Sequence, residues 1–234
     1  DAMNASAIIA AGGIGKRMGE EIPKQLLVLE GKTILERTLE PFVQCGKIGE
    51  IIIVSEINSI GRIEAIVHTM AAGKKVNIVA GGRDRQESVW NGLAALSGNV
   101  SVVLVHDAVR PFITSGLIDS CIREAARTGA ATVARPVKET VKAVESGVVI
   151  ETLDRSRLWI IQTPQAFRAD LLVRAHEEAR RDGFLGTDDC MLVERLGYPV
   201  HIIEGDDMNF KITTPADLRI AGAVLSLFQN QGNS

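Results

Sequence analysis

Lys16, Arg17 and Lys24 follow an apolar run and the glycines Gly12, Gly13 and Gly15 in the stretch "AIIAAGGIGKRMGEEIPKQ". Cations placed just past a glycine-rich turn suit a phosphate site, because the turn bares backbone amides and the side chains neutralise anionic oxygens. The spacing excludes two familiar versions of such a site. A Walker loop puts Ser or Thr after Gly-Lys to hold magnesium, whereas Arg17 follows Gly15 and Lys16. A dinucleotide fingerprint needs a glycine where Met18 stands, and Glu56 comes too late to be its ribose-binding acid. A glycine turn alone is a common surface feature of α/β proteins, so the remaining residues must decide.

Asp107 follows the apolar run "SVVLV" and precedes Arg110 in "HDAVRPF". Ligands collect at the carboxyl ends of strands in open α/β sheets. A lone carboxylate there suits Mg²⁺, which takes one or two protein carboxylates and fills its shell with phosphate oxygens and water. A strand end capped by Asp107, with Arg110 in a surface ion pair, explains the same residues. His106 is left out as a base because an interior, hydrogen-bonded histidine fits its place equally well. Asp84 and Glu87 form a capping-box pattern after the turn "GGR", which puts Ser88 on the first turn of a helix. Its hydroxyl can meet a base edge there, or stand as an ordinary helix serine.

These residues need strands and helices to hold them. Apolar, β-rich runs at 5–11, 50–55, 75–80, 101–106 and 131–136 alternate with helical patterns at 33–45, 59–72, 84–97 and 115–128. That alternation predicts βαβ units and a largely parallel sheet with helices on both faces. Thr214 caps a further helix that has Pro215 in its first turn and runs to about Phe228. Between 138 and 161 the alternation gives way to two β-rich runs around "ESG", the pattern of a hairpin. A hairpin that interrupts such a wind projects from the core, where a second subunit can meet it.

Composition limits the partners. With 46% apolar and 24% charged residues the chain is neither disordered nor built around a membrane span. A net charge of -3 gives no long-range attraction for nucleic acid, so any anion site must be local. Cys45, Cys121 and Cys190 are far apart and form no CxxC pair, which leaves buried thiols as the expectation. Asp1 and Ala2, ahead of Met3, read as an appended remnant, and no leader pattern follows them. The expectation is a single cytoplasmic domain over 3–230.

The opening stretch resembles the glycine, Arg-Met and Pro-Lys signature of nucleotidyltransferases that couple an NTP to a phosphorylated sugar or polyol. Further blocks follow in order: "GGRDRQESVWNGL", "LVHDAVRPF", "PVKETVK", "LDRSRLWIIQTPQAF", "GTDD" and "EGDDMNFKITTPADL". Together they resemble the 2-C-methyl-D-erythritol 4-phosphate cytidylyltransferase family of the non-mevalonate isoprenoid pathway, from about residue 7 to 228. The resemblance implies a single-domain, Rossmann-like α/β fold with a mixed, mostly parallel sheet and a projecting hairpin arm at about 138–161. It also implies a homodimer joined through that arm, and the transfer of a cytidylyl group from CTP to a phosphorylated polyol with release of pyrophosphate.

Roles follow by the same resemblance. Arg17, Lys24 and Lys211 become catalytic, and Asp107 becomes the ligand for Mg²⁺ or another divalent cation. Ala10, Ala11, Gly12, Gly13, Gly15, Lys16, Gly81, Gly82, Ser88 and Ala108 surround the nucleotide. Asp107, Arg110, Thr163, Thr187 and Asp188 meet the second substrate, with Thr140 and Arg155 reaching across from a partner's arm. Arg83 and Met208 stand where the family usually has other residue types. Ribitol 5-phosphate cytidylyltransferase shares the nucleotide site and remains an alternative, as does a nucleotide-binding regulatory protein without the chemistry.

Overall fold

The computed structural model describes residues 4–12, 22–70 and 73–231, of which 228–231 are described as backbone only. Gly13, Gly15, Lys16 and Arg17 therefore lie outside the described residues. In chain order the elements begin with β1 (Ala5–Ala11), the short pair β2 (Val28–Leu29) and β3 (Lys32–Thr33), α1 (Ile34–Gln44), β4 (Ile48–Ser55) and α2 (Ile60–Met70). They continue through β5 (Lys75–Ala80), α3 (Arg85–Ala94), β6 (Val102–Asp107), α4 (Ser115–Thr128) and β7 (Ala130–Pro136). A hairpin of β8 (Lys142–Glu145) and β9 (Val148–Thr152) precedes β10 (Trp159–Arg168). The chain closes with α5 (Ala169–Arg181), α6 (Asp189–Arg195), β11 (His201–Glu204) and α7 (Pro215–Gln231).

Seven strands form one sheet in the order β11-β7-β10-β6-β1-β4-β5. All its pairings are parallel except those of β10, which runs against both β6 and β7. Each face of β1 is buried. Ala5, Ala7 and Ile9 pack with Leu35, Leu39 and Phe42 of α1 and Ile118 and Ile122 of α4. Ile8 packs on the other side with Val89 and Leu93 of α3 and Leu171 and Leu172 of α5. Helices on both faces explain why these strands read as near-continuous apolar runs instead of alternating ones.

Helix starts are fixed by side chains. Thr33 and Glu36 close a full capping box on α1, and Thr114 and Asp188 accept from backbone N–H groups at the starts of α4 and α6. Asp84 caps α3 as expected, but Glu87 reaches past it to the N–H of Arg83, one residue outside the box pattern. Pro215 opens α7 with the Thr214 hydroxyl accepting from Asp217.

The projecting hairpin is shorter than the sequence suggested. Its strands pair from Lys142–Thr152 to Glu145–Val148 around Ser146 and Gly147, whose φ values of 48° and 81° suit a tight two-residue turn. Trp159 to Ile161 pair with Pro136 to Ala134 of β7 and so belong to the main sheet. No helix among the described residues is long and apolar enough to cross a membrane.

Candidate active site

From β1 the chain winds through β4 to β5 at one side, then α3 carries it back across to β6 on the other side of β1. A reversal of this kind opens a crevice at the strands' carboxyl ends. A cavity of about 290 Å³ lies there. Ala10, Ala11 and Gly12 from the end of β1 form one wall, and Asp107, Ala108 and Val109 from the end of β6 form another. The turn from Gly82 to Arg85, with Ser88, closes one side, and Lys24, Gln25 and Lys211 complete it.

Asp107 is 6% exposed and sits among cations. Arg110 Nε donates to its Oδ2 at 3.1 Å, and Lys211 Nζ lies 3.1 Å from the same oxygen. Arg85 Nε stands 4.0 Å from the other oxygen, Oδ1. Burial works to raise the pKa, but Lys211, Arg110 and Arg85 outweigh it and hold the carboxyl well below the usual carboxylate range. Among the described residues no group of three or more His, Cys, Asp or Glu side chains could hold a metal ion by itself. The fit is instead to a cation shared with phosphate oxygens: Asp107 is held ionised, and its Oδ1 lies 4.0 Å from Arg85 Nε, beyond hydrogen-bonding distance.

The family profile for 2-C-methyl-D-erythritol 4-phosphate cytidylyltransferase matches residues 5–227. The chain belongs to that family. Proteins of that name are 45% identical over 226 residues in Geotalea uraniireducens, covering 95% of this chain and 97% of the relative. The Geobacter metallireducens protein is 47% identical over 223 residues, covering 94% and 96%. The crystal structure of 4-diphosphocytidyl-2C-methyl-D-erythritol synthase from Anaerococcus prevotii superposes with a TM-score of 0.86 at 32% identity, covering 97% of this chain and all 100% of that one. The Thermus thermophilus cytidylyltransferase structure gives 0.77 at 34% identity, covering 94% and 98%.

In this member of the cytidylyltransferase family several of the expected contact residues also brace the frame of the site. Ser88 Oγ accepts from the N–H of Gly82 at 3.0 Å and donates to the carbonyl of Asp84 at 2.7 Å, so it shapes the turn that lines the cavity. A side chain on Gly82 would put its Cβ 2.3 Å from Glu87 Cγ, which is why only glycine fits there. Gly81 lies behind that turn, its N–H donating to the carbonyl of Ser55 at 2.8 Å. Thr163 is 5% exposed, and its hydroxyl accepts from the N–H of Asp107 at 3.1 Å and meets His106 Nδ1 at 2.9 Å. It therefore steadies Asp107 from behind.

His106 is fully buried against Phe42, and that burial pushes its pKa down to about 4, leaving a neutral interior ring. Arg110 reaches the carbonyl of Asn209 at 2.8 Å, and the N–H of Ile212 donates to the carbonyl of Val109 at 2.9 Å. These two bonds bring Lys211 to Asp107. Asp206 accepts from the N–H groups of Met208 and Asn209, and Asp207 pairs with Lys138 and Arg135, so neither is placed at Asp107.

The remaining cytidylyltransferase-family positions fall outside the cavity wall. Asp188 caps α6 and also accepts from Gln165 Nε2 at 2.8 Å, and exposed Thr187 precedes it. Thr140 and Arg155 sit at the root of the arm, with Arg155 Nη1 donating to the carbonyl of Lys138 at 2.7 Å. Gln25 and Arg85 line the cavity without having been singled out from sequence. Gln25 is 1% exposed and donates to the carbonyl of Ala11 at 2.6 Å, tying the turn that carries Lys24 to the end of β1. A lone glutamine gives no sequence signal for such a tie.

Proposed function

We propose that the protein joins CTP to 2-C-methyl-D-erythritol 4-phosphate, giving 4-diphosphocytidyl-2-C-methyl-D-erythritol and pyrophosphate, in isoprenoid precursor biosynthesis. The observation that carries this reading is Asp107 ringed by Lys211 and Arg85 in a cavity that Lys24 also lines, with buried Arg110 paired to it from behind. An oxygen of the polyol phosphate attacks the α-phosphorus of CTP, and the bond from that phosphorus to the bridging oxygen breaks to release pyrophosphate. Both reactants are polyanions, so the barrier is mainly one of charge, and positioned cations lower it without a dedicated acid or base. Lys24, with Arg17, neutralises the triphosphate. Lys211 and Arg110 orient the incoming phosphate beside Asp107. Asp107 would hold Mg²⁺, which when bound supplies further neutralisation of the phosphates. The backbone and small side chains of Ala10 to Gly13, Gly15, Gly82 and Ala108, with Lys16, enclose the nucleotide, while Gly81 and Ser88 hold the turn.

A second copy of the chain completes this reading. Val148, Val149 and Ile150 on the arm are 65%, 55% and 56% exposed, continuing to Trp159, Ile160 and Ile161 at its root. Large apolar side chains left exposed together on one projecting element suit an interaction surface. Arg155 and Thr140, at the root of that surface and away from their own cavity, then meet the polyol phosphate bound by the other subunit, where Thr187 and Asp188 border it.

The test is pyrophosphate release with Mg²⁺, crossing CTP, UTP, ATP and GTP against 2-C-methyl-D-erythritol 4-phosphate and ribitol 5-phosphate. Turnover confined to CTP with the methylerythritol phosphate is expected. Turnover with ribitol phosphate instead would overturn the acceptor, and silence with every pair would overturn the enzyme.

A further inference from the structure

Arg85 opens α3 and its guanidinium is held at one end by a buried chain. Its Nη1 donates to Asp189 Oδ2 at 2.7 Å. Asp189 is 1% exposed, its Oδ1 lies 3.0 Å from His176 Nε2, and its own N–H donates to Gln165 Oε1 at 3.1 Å. His176 is fully buried and stacks on Trp90 of α3 with ring centroids 6.3 Å apart. Every link in this chain is fixed by packing or by a second bond, so Arg85 has little freedom to move. Its Nε consequently stops 4.0 Å from Asp107 Oδ1, beyond hydrogen-bonding distance. On the other oxygen, Arg110 and Lys211 close to 3.1 Å each.

An untethered arginine beside an ionised carboxylate would be expected to close into a bidentate pair. We infer that Asp189, backed by His176, is a positioning residue that restrains Arg85 and so keeps Asp107 Oδ1 open to the divalent cation. This inference rests on the proposed metal role of Asp107. Groups that hydrogen-bond a metal ligand commonly change metal affinity by about 10- to 100-fold when altered, and Asp189 acts one step further out, through Arg85, so the lower end of that range applies.

The experiment is Mn²⁺ binding to the full-length protein with CTP, read by electron paramagnetic resonance, alongside thermal melting. Asp189→Asn should weaken Mn²⁺ binding about tenfold, because Arg85 is freed to close on Oδ1. Arg85→Gln removes the competing guanidinium and should leave Mn²⁺ binding undiminished, and Asp189→Asn added to it should then weaken binding no further. Loss of Mn²⁺ affinity in Arg85→Gln alone overturns the inference, a result that stands even if Asp189→Asn does not fold. An unchanged affinity in Asp189→Asn, or an equal loss in both backgrounds, overturns it as well. Asp107→Asn separates the two readings. If it abolishes Mn²⁺ binding while Asp189→Asn is silent, only the restraint fails; if it leaves Mn²⁺ binding intact, the metal role fails and the inference with it.

Discussion

Lys24 lines the cavity on a single turn, Lys24–Leu26, that Gln25 ties to β1. A cation used chiefly as charge builds on the phosphoryl group affects turnover more than binding. Lys24→Ala should therefore lower kcat by roughly a hundredfold, about 3 kcal/mol of transition-state stabilisation, with a much smaller change in CTP affinity by calorimetry. Equal losses in both would reduce it to a binding residue. Gly82→Ala acts by shape instead, since the new Cβ meets Glu87. It should raise KM for CTP by displacing the turn, which steady-state kinetics will read. The charged members of the site were legible because Lys24, Asp107, Arg110 and Lys211 each stand inside a patterned block. The backbone bonds made by Thr163 and Ser88 were not, because the partner of a hydroxyl leaves no mark in sequence. Arg85 was hidden for a related reason: its partner Asp189 lies 104 residues away.

Among the elements, the βα wind up to β7 was readable from apolar runs and caps, and β1 and β5 have the expected bounds, 5–11 and 75–80. Strand β10 was not, because "TPQAF" carries polar residues inside a buried strand. Gln165 in β10 is 1% exposed, and its amide bonds Asp188 and the N–H of Asp189, which no local pattern reveals. A comparable tie holds β4 to its neighbours. Glu50 accepts from Ser97 N–H at 3.0 Å and Oγ at 2.9 Å, and pairs with Lys75 at 3.0 Å. Burial works to raise its pKa, but the Ser97 bonds and Lys75 hold it below the ordinary 4.5. A carboxyl depressed in the folded state stabilises fully above its unfolded pKa, and that share is lost as pH falls through the folded value. Glu50→Gln should thus be less stable than the parent at about pH 7, with the difference shrinking below about pH 4.5, as urea midpoints across that range will report.

For the molecule as a whole, the proposed assembly makes each active site a shared one. Lys24→Ala and Arg155→Ala should each be nearly inactive alone, but co-refolded in equal amounts they should regain about a quarter of parental activity. Random pairing makes about half the dimers mixed, and each mixed dimer has one intact site of two. Absence of recovery would place Arg155 in its own subunit's site. The sequence pattern anticipated the projecting hairpin but overstated its length, since the pairing of Trp159 with Pro136 depends on a strand distant in the chain. That pairing has a consequence for how the protein can be altered. The N–H of Val137 donates to the carbonyl of Leu158 at 3.0 Å, so the polypeptide leaves the sheet and rejoins it between adjacent, bonded residues. The stretch between is held to the body at its base by the pair of Lys138 and Asp207, and it enters and leaves at one place. Replacing residues 138–157 with a tight turn should give a chain that melts near the parental temperature, sediments as a monomer and still takes up CTP, yet transfers nothing. The capacity to fold and the capacity to react would then be carried by separable pieces of one gene product.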